Sequence, residues 1–406
     1  MNNKTHRIGI IREGKNPPDK RVPFTPEQCK QIKDLYPAAE LFVQPSPIRC
    51  FSDEEYEAKG IEMKEDLSDC DILFGVKEVP ISQLMPEKQY FFFSHTHKLQ
   101  PYNQPLIKAI IDKQISLTDY ECLTYPQGNR VLGFGRYAGI VGAYNGILAY
   151  GKREKAYELK PANQCDDMQE MLHELEKVEL SPIKILLTGS GRVAKGANEI
   201  LEALSLRKVE VEEYLNKTFD EPVYCWIDAE DYVKHKDGKP FEYSHFYNHG
   251  EEYESNFQRF YRNTDLFIAG HFWDNTSPVF FTQEQAKAAD FRIRLIADIS
   301  CDIADPIPST LRPSTIADPI YDYNRITGEE APAFSDPDNI TVMAVDNLPC
   351  ELPKDASEGF GQSLLEEIIP LLLNSDPHGI ICNATIASGG ELTKKFDYME
   401  DFVFKN

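Results

Sequence analysis

The residues best suited to chemistry stand at the ends of two apolar runs. DILFGVKE (71–78) ends in Lys77 and Glu78, and YFFFSHTHK (90–98) ends in His95, His97 and Lys98. A strand of a parallel sheet carries apolar side chains while it is buried; at its carboxyl end it leaves the core and meets ligands. In parallel strands these two ends lie side by side, which makes Lys77 and His95 neighbours. A lysine and a histidine in one cleft form an acid–base pair, because burial and nearby charge bring each pKa toward neutrality. Taken singly, Lys77 fits a solvated strand-end charge and His95 a hydrogen-bonded loop histidine. The spacing His95-x-His97 could hold a metal, but no third ligand is evident and no Cys-x-x-Cys pair occurs, so no metal is expected.

A second candidate is the glycine turn Gly189, Ser190, Gly191, Arg192, Val193, Ala194, which follows the apolar run IKILLT and opens a helix. This is the dinucleotide pattern G-x-G-x-x-G/A in its proper context. Gly189 permits the tight turn and Gly191 lets the backbone approach a pyrophosphate. Ala194 and Gly196 are read as keeping the helix close to the sheet, and the helix N-terminus offers amides to phosphate. About 20 residues on, KVEVEE reads as the end of the next strand, where Glu212 or Glu213 would accept the ribose hydroxyls of NAD. A carboxylate there repels a 2′-phosphate, so NAD is expected over NADP, with NADP possible.

These residues must be carried by elements. Strands are expected at 7–13, 41–44, 71–78, 90–95 and 115–121, with helices at 26–35 and along QPLIKAIIDKQ; alternation of this kind implies a parallel α/β sheet. Small residues three and four apart in 133–159 suggest a long helix packed closely on another element. The run 182–204 is strand, turn and helix, and 265–270, 294–300 and 340–347 are further strands. Residues 215–262, rich in aromatics and charge, read as an insertion. LLEEIIPLLLN (364–374) reads as a helix bent at Pro370. The fold class expected is α/β: two Rossmann-like doubly wound parallel-sheet domains joined by long helices, with a cleft between them. Residues 1–135 with 350–406 form the substrate domain, and 136–349 the nucleotide domain.

The bulk numbers exclude other classes. With 406 residues, 41% of them hydrophobic and 27% charged, the chain is an ordinary globular protein of two or three domains. No apolar run is long enough to span a membrane, and MNNKTHRIGII lacks a secretory signal pattern. Nine scattered cysteines read as reduced thiols in a cytoplasmic protein. A formal charge of −23 disfavours nucleic acid and anionic membranes. No coiled-coil seam is visible, and the oligomeric state is not readable.

The motifs taken together resemble a known family. RxGKxxxxKRVPFTP (Arg12 to Pro26), GVKE, HTHK (95–98), DYE (119–121), GFGRYAGIVGA (133–143), TGSGRVAKGA (188–197), IADISCD (296–302), STIADPIYDY (314–323) and DNLPCELPKDASEGFG (346–361) occur in order. They resemble the alanine dehydrogenase/transhydrogenase N-terminal superfamily and, within it, the lysine-forming saccharopine dehydrogenase and lysine–ketoglutarate reductase family. The resemblance implies an NAD(P)-dependent oxidoreductase interconverting saccharopine with lysine and 2-oxoglutarate. By position, Lys77 would take the proton of the secondary amine and His95 would handle protons in imine hydrolysis. Arg21 and Arg130 would bind substrate carboxylates, Glu78 and Glu121 would tune the lysine and histidine, and Lys98 would join the substrate cations. Gly270, His271, Phe272, Asp298, Ser300, Asp346 and Leu348 would border the nicotinamide ribose. The alternatives are an alanine-dehydrogenase-like enzyme acting on another amino or imino acid, and a nucleotide-binding protein without catalysis.

Overall fold

The fold is described from a computed structural model, for residues 6–405; Met1–Thr5, which open the segment read as lacking a secretory signal, lie outside the described residues. The chain divides into two compact units, one ending at Phe134 and resuming at Pro353, the other Gly135–Leu352. Each is taken by itself.

The first unit runs β1 (His6–Ile10), α1 (Pro26–Leu35), β2 (Ala39–Val43), α2 (Asp53–Ala58), β3 (Glu62–Met63), β4 (Ile72–Phe74), β5 (Gln89–Phe92), α3 (Gln104–Asp112) and β6 (Ser116–Asp119). Local chemistry sets the helix starts. Thr25 and Gln28 form a capping box at α1 with Pro26 in its first turn, and Ser52 and Glu55 do the same at α2. Apolar residues 106, 107, 110 and 111 give α3 one buried face. Strands β3, β2, β1, β4, β5 and β6 pair in that order, all parallel. The returning chain adds Thr385–Ser388 antiparallel to β6, and Glu391–Leu392 beyond it. The phenylalanines anchor the sheet: Phe74 and Phe91 stack at 4.7 Å, and Phe24 meets Phe74 edge-on at 5.3 Å.

Strand β4 is shorter than the expected 71–78, covering Ile72–Phe74, so GVKE is a loop at its carboxyl end. The C-terminal helix leaves α geometry one turn before Pro370: Pro353–Ser363 is α-helical, Leu364–Ile368 is a π turn, and Ile369–Leu373 resumes. Proline has no amide to donate and its ring crowds the carbonyl four residues back, so the distortion falls upstream.

The second unit opens with α4 (Gly135–Glu154) and α5 (Met168–Glu174). It continues through β7 (Lys184–Thr188), α6 (Arg192–Ala203), β8 (Arg207–Lys208), α7 (Val211–Asn216) and β9 (Val223–Ile227). After α8 (Ala229–Tyr232) come β10 (Val233–His235), α9 (Tyr243–Asn248) and β11 (Tyr253–Ser255), then β12 (Leu266–Ala269), β13 (Leu295–Asp298), β14 (Ile320–Tyr323), β15 (Glu330–Ala331) and β16 (Ile340–Met343). The sheet order is β15-β14-β16-β13-β12-β7-β9-β8, parallel from β16 to β8 and antiparallel at β14 and β15. The small residues of α4 seat it against α6. A Cβ on Gly139 would lie 1.9 Å from the Val193 carbonyl oxygen, and one on Gly196 2.0 Å from that of Arg136. Gly196 therefore serves helix-to-helix approach, and not contact with the sheet as expected.

Two readings of this unit are corrected. KVEVEE is not a strand: only Arg207 and Lys208 pair with β9, and Glu212 and Glu213 lie in the first turn of α7. Acidic residues suit a helix N-terminus, where they meet its positive end. The strand beside β7 is instead β9, which lies inside the stretch read as an insertion. Its apolar core VYCWI is only five residues long and hides among charged neighbours. The part outside the sheet starts after Ile227 and includes the separate two-stranded sheet of β10 and β11.

Candidate functional site

In the first unit the two chemical loops leave adjacent strands, as β4 and β5 pair from Ile72↔Gln89 to Phe74↔Phe91. The ladder runs on beyond the strands, with Gly75 N–H donating to the Phe91 carbonyl and Phe93 N–H to that of Val76, each at 3.0 Å. A carboxylate fixes each loop. The two oxygens of Glu13 accept the Val76 amide at 2.7 Å and the Lys77 amide at 2.9 Å. Asp119, at the end of β6, accepts the Ser94 amide at 2.8 Å, the Ser94 hydroxyl at 2.6 Å and the His95 amide at 3.0 Å, all on Oδ2. These bonds hold His95 at φ +54°, a left-handed conformation that a histidine adopts at a cost.

Glu78 connects the loops. Its Oε1 lies 2.6 Å from His95 Nδ1 and its Oε2 2.8 Å from Lys15 Nζ. Burial pushes its pKa up, but the bonds from His95 and Lys15 outweigh burial and hold it at about 2. An ionised carboxylate only accepts, so Nδ1 of His95 carries a proton, and in the neutral ring the lone pair lies on Nε2. That is the tautomer a general base needs. Lys77 has no carboxylate within ion-pairing distance among the described residues, and burial, then the charges of Arg21 and Lys15, lower its pKa. Burial also raises Glu13 to about 7, against the pull of its two amides.

The other expected substrate groups are already partnered. Arg21 is 2% exposed; its guanidinium binds both oxygens of Asp19 at 3.0 and 2.6 Å and lies 4.1 Å over the Phe134 ring. Burial opposes ionisation of Asp19, but Arg21 outweighs it and sets that carboxyl at about 2. Glu121 gathers Lys98 at 2.9 Å and Arg130 at 2.6 Å. His97 faces other carboxylates than His95 does, with Nδ1 3.7 Å from Asp119 and Nε2 3.6 Å from Glu121. Ligand atoms of His97, Asp119 and Cys122 lie within 4.8 Å of one another, yet the Asp119 oxygens are committed to the loop. Glu13 and Asp19 were not found from sequence. A lone acid beside Gly14-Lys15 or Lys20-Arg21 gives no periodic signal, and their roles emerge only when β1, β4 and the following loops meet.

In the second unit the glycine turn fits a dinucleotide. Gly189 has φ +102°, and a Cβ there would lie 2.5 Å from the Gly270 carbonyl oxygen, so no other residue fits. A Cβ on Gly191 would meet nothing within 4 Å, which leaves room for a diphosphate. No side chain caps the N-terminus of α6, and Ser190, Gly191 and Arg192 are exposed while Val193 is half-buried. His271 is buried beside this turn. Its Nδ1 lies 2.9 Å from Thr188 Oγ1, and its Nε2 has no hydrogen-bond partner among the described residues; burial lowers its pKa to about 3. A neutral imidazole with an unused nitrogen suits a polar ligand atom. Phe272 is 76% exposed.

The other residues expected at the nicotinamide ribose differ in their surroundings. Asp298 accepts Ser300 Oγ at 2.7 Å, the Cys301 amide at 3.1 Å and Thr310 Oγ1 at 2.6 Å. Asp346 is exposed, and Leu348 is buried near Gly142 of α4. The acid at the carboxyl end of the strand beside β7 is Asp228, not Glu212 or Glu213. Glu212 accepts the Asn216 side chain at 2.8 Å and Glu213 pairs with Lys217 at 2.5 Å, both along α7. Asp228 Oδ2 accepts the Tyr243 hydroxyl at 3.0 Å, and Trp226 Nε1 donates to the Gly189 carbonyl at 2.5 Å. The signal missed was VYCWID, an apolar run ending in an acid.

Comparison with known proteins agrees with this architecture. Residues 9–141 match the family described as alanine dehydrogenase/PNT, N-terminal domain. Over 437 residues the chain is 29% identical to the alpha-aminoadipic semialdehyde synthase of Arabidopsis thaliana, covering 97% of this chain and 41% of that protein. The mitochondrial alpha-aminoadipic semialdehyde synthase of Mus musculus is also 29% identical, with 97% and 47% covered. The chain thus spans less than half the length of these relatives. The saccharopine dehydrogenase (NAD(+), L-lysine-forming) of Candida albicans is 25% identical, covering 89% of this chain and 91% of that one. Among solved structures, an L-alanine dehydrogenase aligns with a TM-score of 0.65 at 14% identity, covering 98% of each chain. The transhydrogenase from Sinorhizobium meliloti aligns with a TM-score of 0.57 at 12% identity, covering 96% of this chain and 100% of that one. The fold is α/β and Rossmann-like, shared with these two. No helix among the described residues is long and apolar enough to cross a membrane.

Proposed function

We propose that this chain is a pyridine-nucleotide oxidoreductase that interconverts saccharopine with lysine and 2-oxoglutarate. The observation that carries the reading is the chain Lys15–Glu78–His95 beside a buried Lys77 whose pKa is lowered, at the ends of adjacent parallel strands. Saccharopine is a secondary amine, and its oxidation requires the amine proton to leave as hydride departs from the carbon. Lys77, favoured neutral by burial and by two neighbouring cations, accepts that proton. The resulting imine takes up water, and His95 Nε2 accepts the water proton while Nδ1–H stays bound to Glu78. That proton passes to the imine nitrogen to give the carbinolamine; transfer of the hydroxyl proton to the same nitrogen as the C–N bond breaks releases lysine and leaves the carbonyl of 2-oxoglutarate.

The nicotinamide, when bound, supplies the acceptor for the hydride. The groups of this chain suited to hold its dinucleotide are the amides after Gly189, the open space at Gly191, and Asp228 for the adenosine ribose. A carboxylate at that point favours NAD over NADP. The cations Lys15, Arg21, Lys98 and Arg130 suit a substrate with several carboxylates, and Glu78, Asp19 and Glu121 hold them in place until it arrives. The compartment proposed is cytoplasmic, in keeping with cysteines that stand as thiols.

The test is a spectrophotometric assay of reduced-nucleotide consumption. NADH or NADPH is mixed with 2-oxoglutarate and lysine, and separately with pyruvate and ammonia. Consumption that needs both lysine and 2-oxoglutarate supports the reading. Consumption only with pyruvate and ammonia assigns an alanine-dehydrogenase-like reaction instead. Binding of NADH without turnover in any mixture leaves a nucleotide-binding protein.

A further inference from the structure

The segment after β9 gathers three of the nine histidines of the chain within 15 residues, at His235, His245 and His249. We infer that His235, His245 and Glu252 form a binding site for a divalent transition-metal ion of the zinc class. The inference does not depend on the reaction proposed above.

Two imidazoles converge on one carboxylate oxygen. His235, the last residue of β10, is 5% exposed, and its Nε2 lies 3.2 Å from Glu252 Oε2. His245, on α9, has its Nε2 3.8 Å from the same oxygen. Ligand atoms of all three residues lie within 4.8 Å of one another. A zinc ion bonded at about 2.0–2.1 Å in tetrahedral geometry separates its donor atoms by about 3.3–3.4 Å, and the two measured distances bracket that value. Two histidines and one glutamate are a known zinc donor set, with water in the fourth position. Nitrogen donors disfavour calcium and magnesium, which take oxygen.

The surroundings support ligation by His245 as they stand and by His235 after one rearrangement. Nδ1 of His245 lies 3.2 Å from the Tyr253 hydroxyl, an outer partner of the kind that fixes the tautomer of a metal-binding histidine. Nδ1 of His235 accepts the Asp237 amide at 3.0 Å, so without an ion its proton sits on Nε2, facing Glu252. Loading moves that proton to Nδ1 and turns the Asp237 amide to solvent. The move falls in a reverse turn, where the Gly238 amide donates to the His235 carbonyl and Gly238 has φ +70°. A hydrogen bond between His235 and Glu252 alone would not require a second imidazole on the same oxygen. The ion would tie β10, α9 and the turn before β11 together. Tyr243, which opens α9, reaches Asp228 at the end of β9.

The experiment uses the full chain without a polyhistidine tag, stripped with chelator and then equilibrated with Zn²⁺ or Co²⁺. Metal retained after gel filtration is counted by mass spectrometry, and the Co²⁺ form is read by its visible d–d absorption. One ion per chain and the intense spectrum of four-coordinate cobalt are expected. Both should be lost in His245→Ala, whose side chain is 34% exposed, and in Glu252→Gln, at 41%. The exposed histidines elsewhere serve as controls, so His173→Ala and His378→Ala retain the ion. Tyr253→Phe keeps the fold and weakens zinc affinity about tenfold. A wild-type chain that retains no metal overturns the inference. So does one whose metal stays bound in both ligand variants.

Discussion

Replacing Glu78 by glutamine tests whether that carboxylate sets the working tautomer of His95. Its pKa stands at about 2 against an ordinary 4.5. At about 1.4 kcal/mol per unit, the bonds to His95 and Lys15 favour the ionised form by roughly 3 kcal/mol, net of burial. The side chain is 14% exposed, so solvent screens little of this. Glutamine keeps the shape but loses the charge, and its NH₂ can donate to Nδ1 and shift the ring proton to Nε2, where a base is required. If the full amount is expressed when His95 becomes cationic, kcat/KM falls on the order of 100-fold. Lys15→Met, which removes only the other partner, should cost less than about tenfold. Initial rates in both directions, with NADH binding measured alongside, provide the assay. A Glu78→Gln enzyme with wild-type kcat/KM and normal NADH binding would refute the tautomer argument. The same pair has a stability signature. Because the folded pKa is depressed, its stabilisation is complete above pH 4.5 and is lost as pH falls through about 2.

The remaining predictions concern the lysine, the nucleotide and the helix contact. Lys77→Met should lower turnover by roughly 10²- to 10⁴-fold while leaving NADH affinity intact; wild-type amine oxidation should rise with pH to a limit below the usual lysine range, and the variant should lack that rise. Asp228→Ala should shift the preference toward NADPH, read as the ratio of kcat/KM for the two nucleotides, whereas Glu213→Gln on α7 should leave the ratio unchanged. Gly139→Ala places a methyl against the Val193 carbonyl and should destabilise the second unit by about 2 kcal/mol. A melting curve should show this as a fall of roughly 4–8 °C for a unit of this size.

What the sequence made legible follows from how locally each signal is written. The parallel strands, the glycine turn and the Lys77 and His95 loops are short runs whose apolar pattern and punctuation carry their own meaning. The fixed chemistry of Gly189 could be read because φ +102° admits little else. Asp228, the acid proposed for the ribose, was missed because the separation expected for such an acid assumes a short connection. Here β8 and α7 intervene, and the acid comes 37 residues after Gly191 instead of about 20. Glu13 and Asp19 were missed for another reason. Each acts on a neighbour that folding brings close: Glu13 on the amides of Val76 and Lys77, Asp19 on a buried guanidinium that a sequence reader assigns to substrate.

The pairing of the cations changes how substrate recognition must work. The chain is strongly acidic, and each of the cations proposed for the substrate meets a resident carboxylate: Arg21 with Asp19, Lys15 with Glu78, Lys98 and Arg130 with Glu121. A ligand carboxylate arriving here does not meet bare charge. It must share a donor that is already bound, and the geometry of the resident pair decides which donors point outward. That arrangement lowers the attraction for any single anion and rewards a ligand whose several carboxylates match the whole set. Lys77 is the exception. No carboxylate among the described residues pairs with it directly, and burial with the charges of Arg21 and Lys15 outweighs the more distant pull of Asp19 and Glu78, so its pKa is lowered. The same distribution of acids that holds Lys15, Arg21, Lys98 and Arg130 in place leaves Lys77 without a direct ion pair among the described residues, as the proposed base requires.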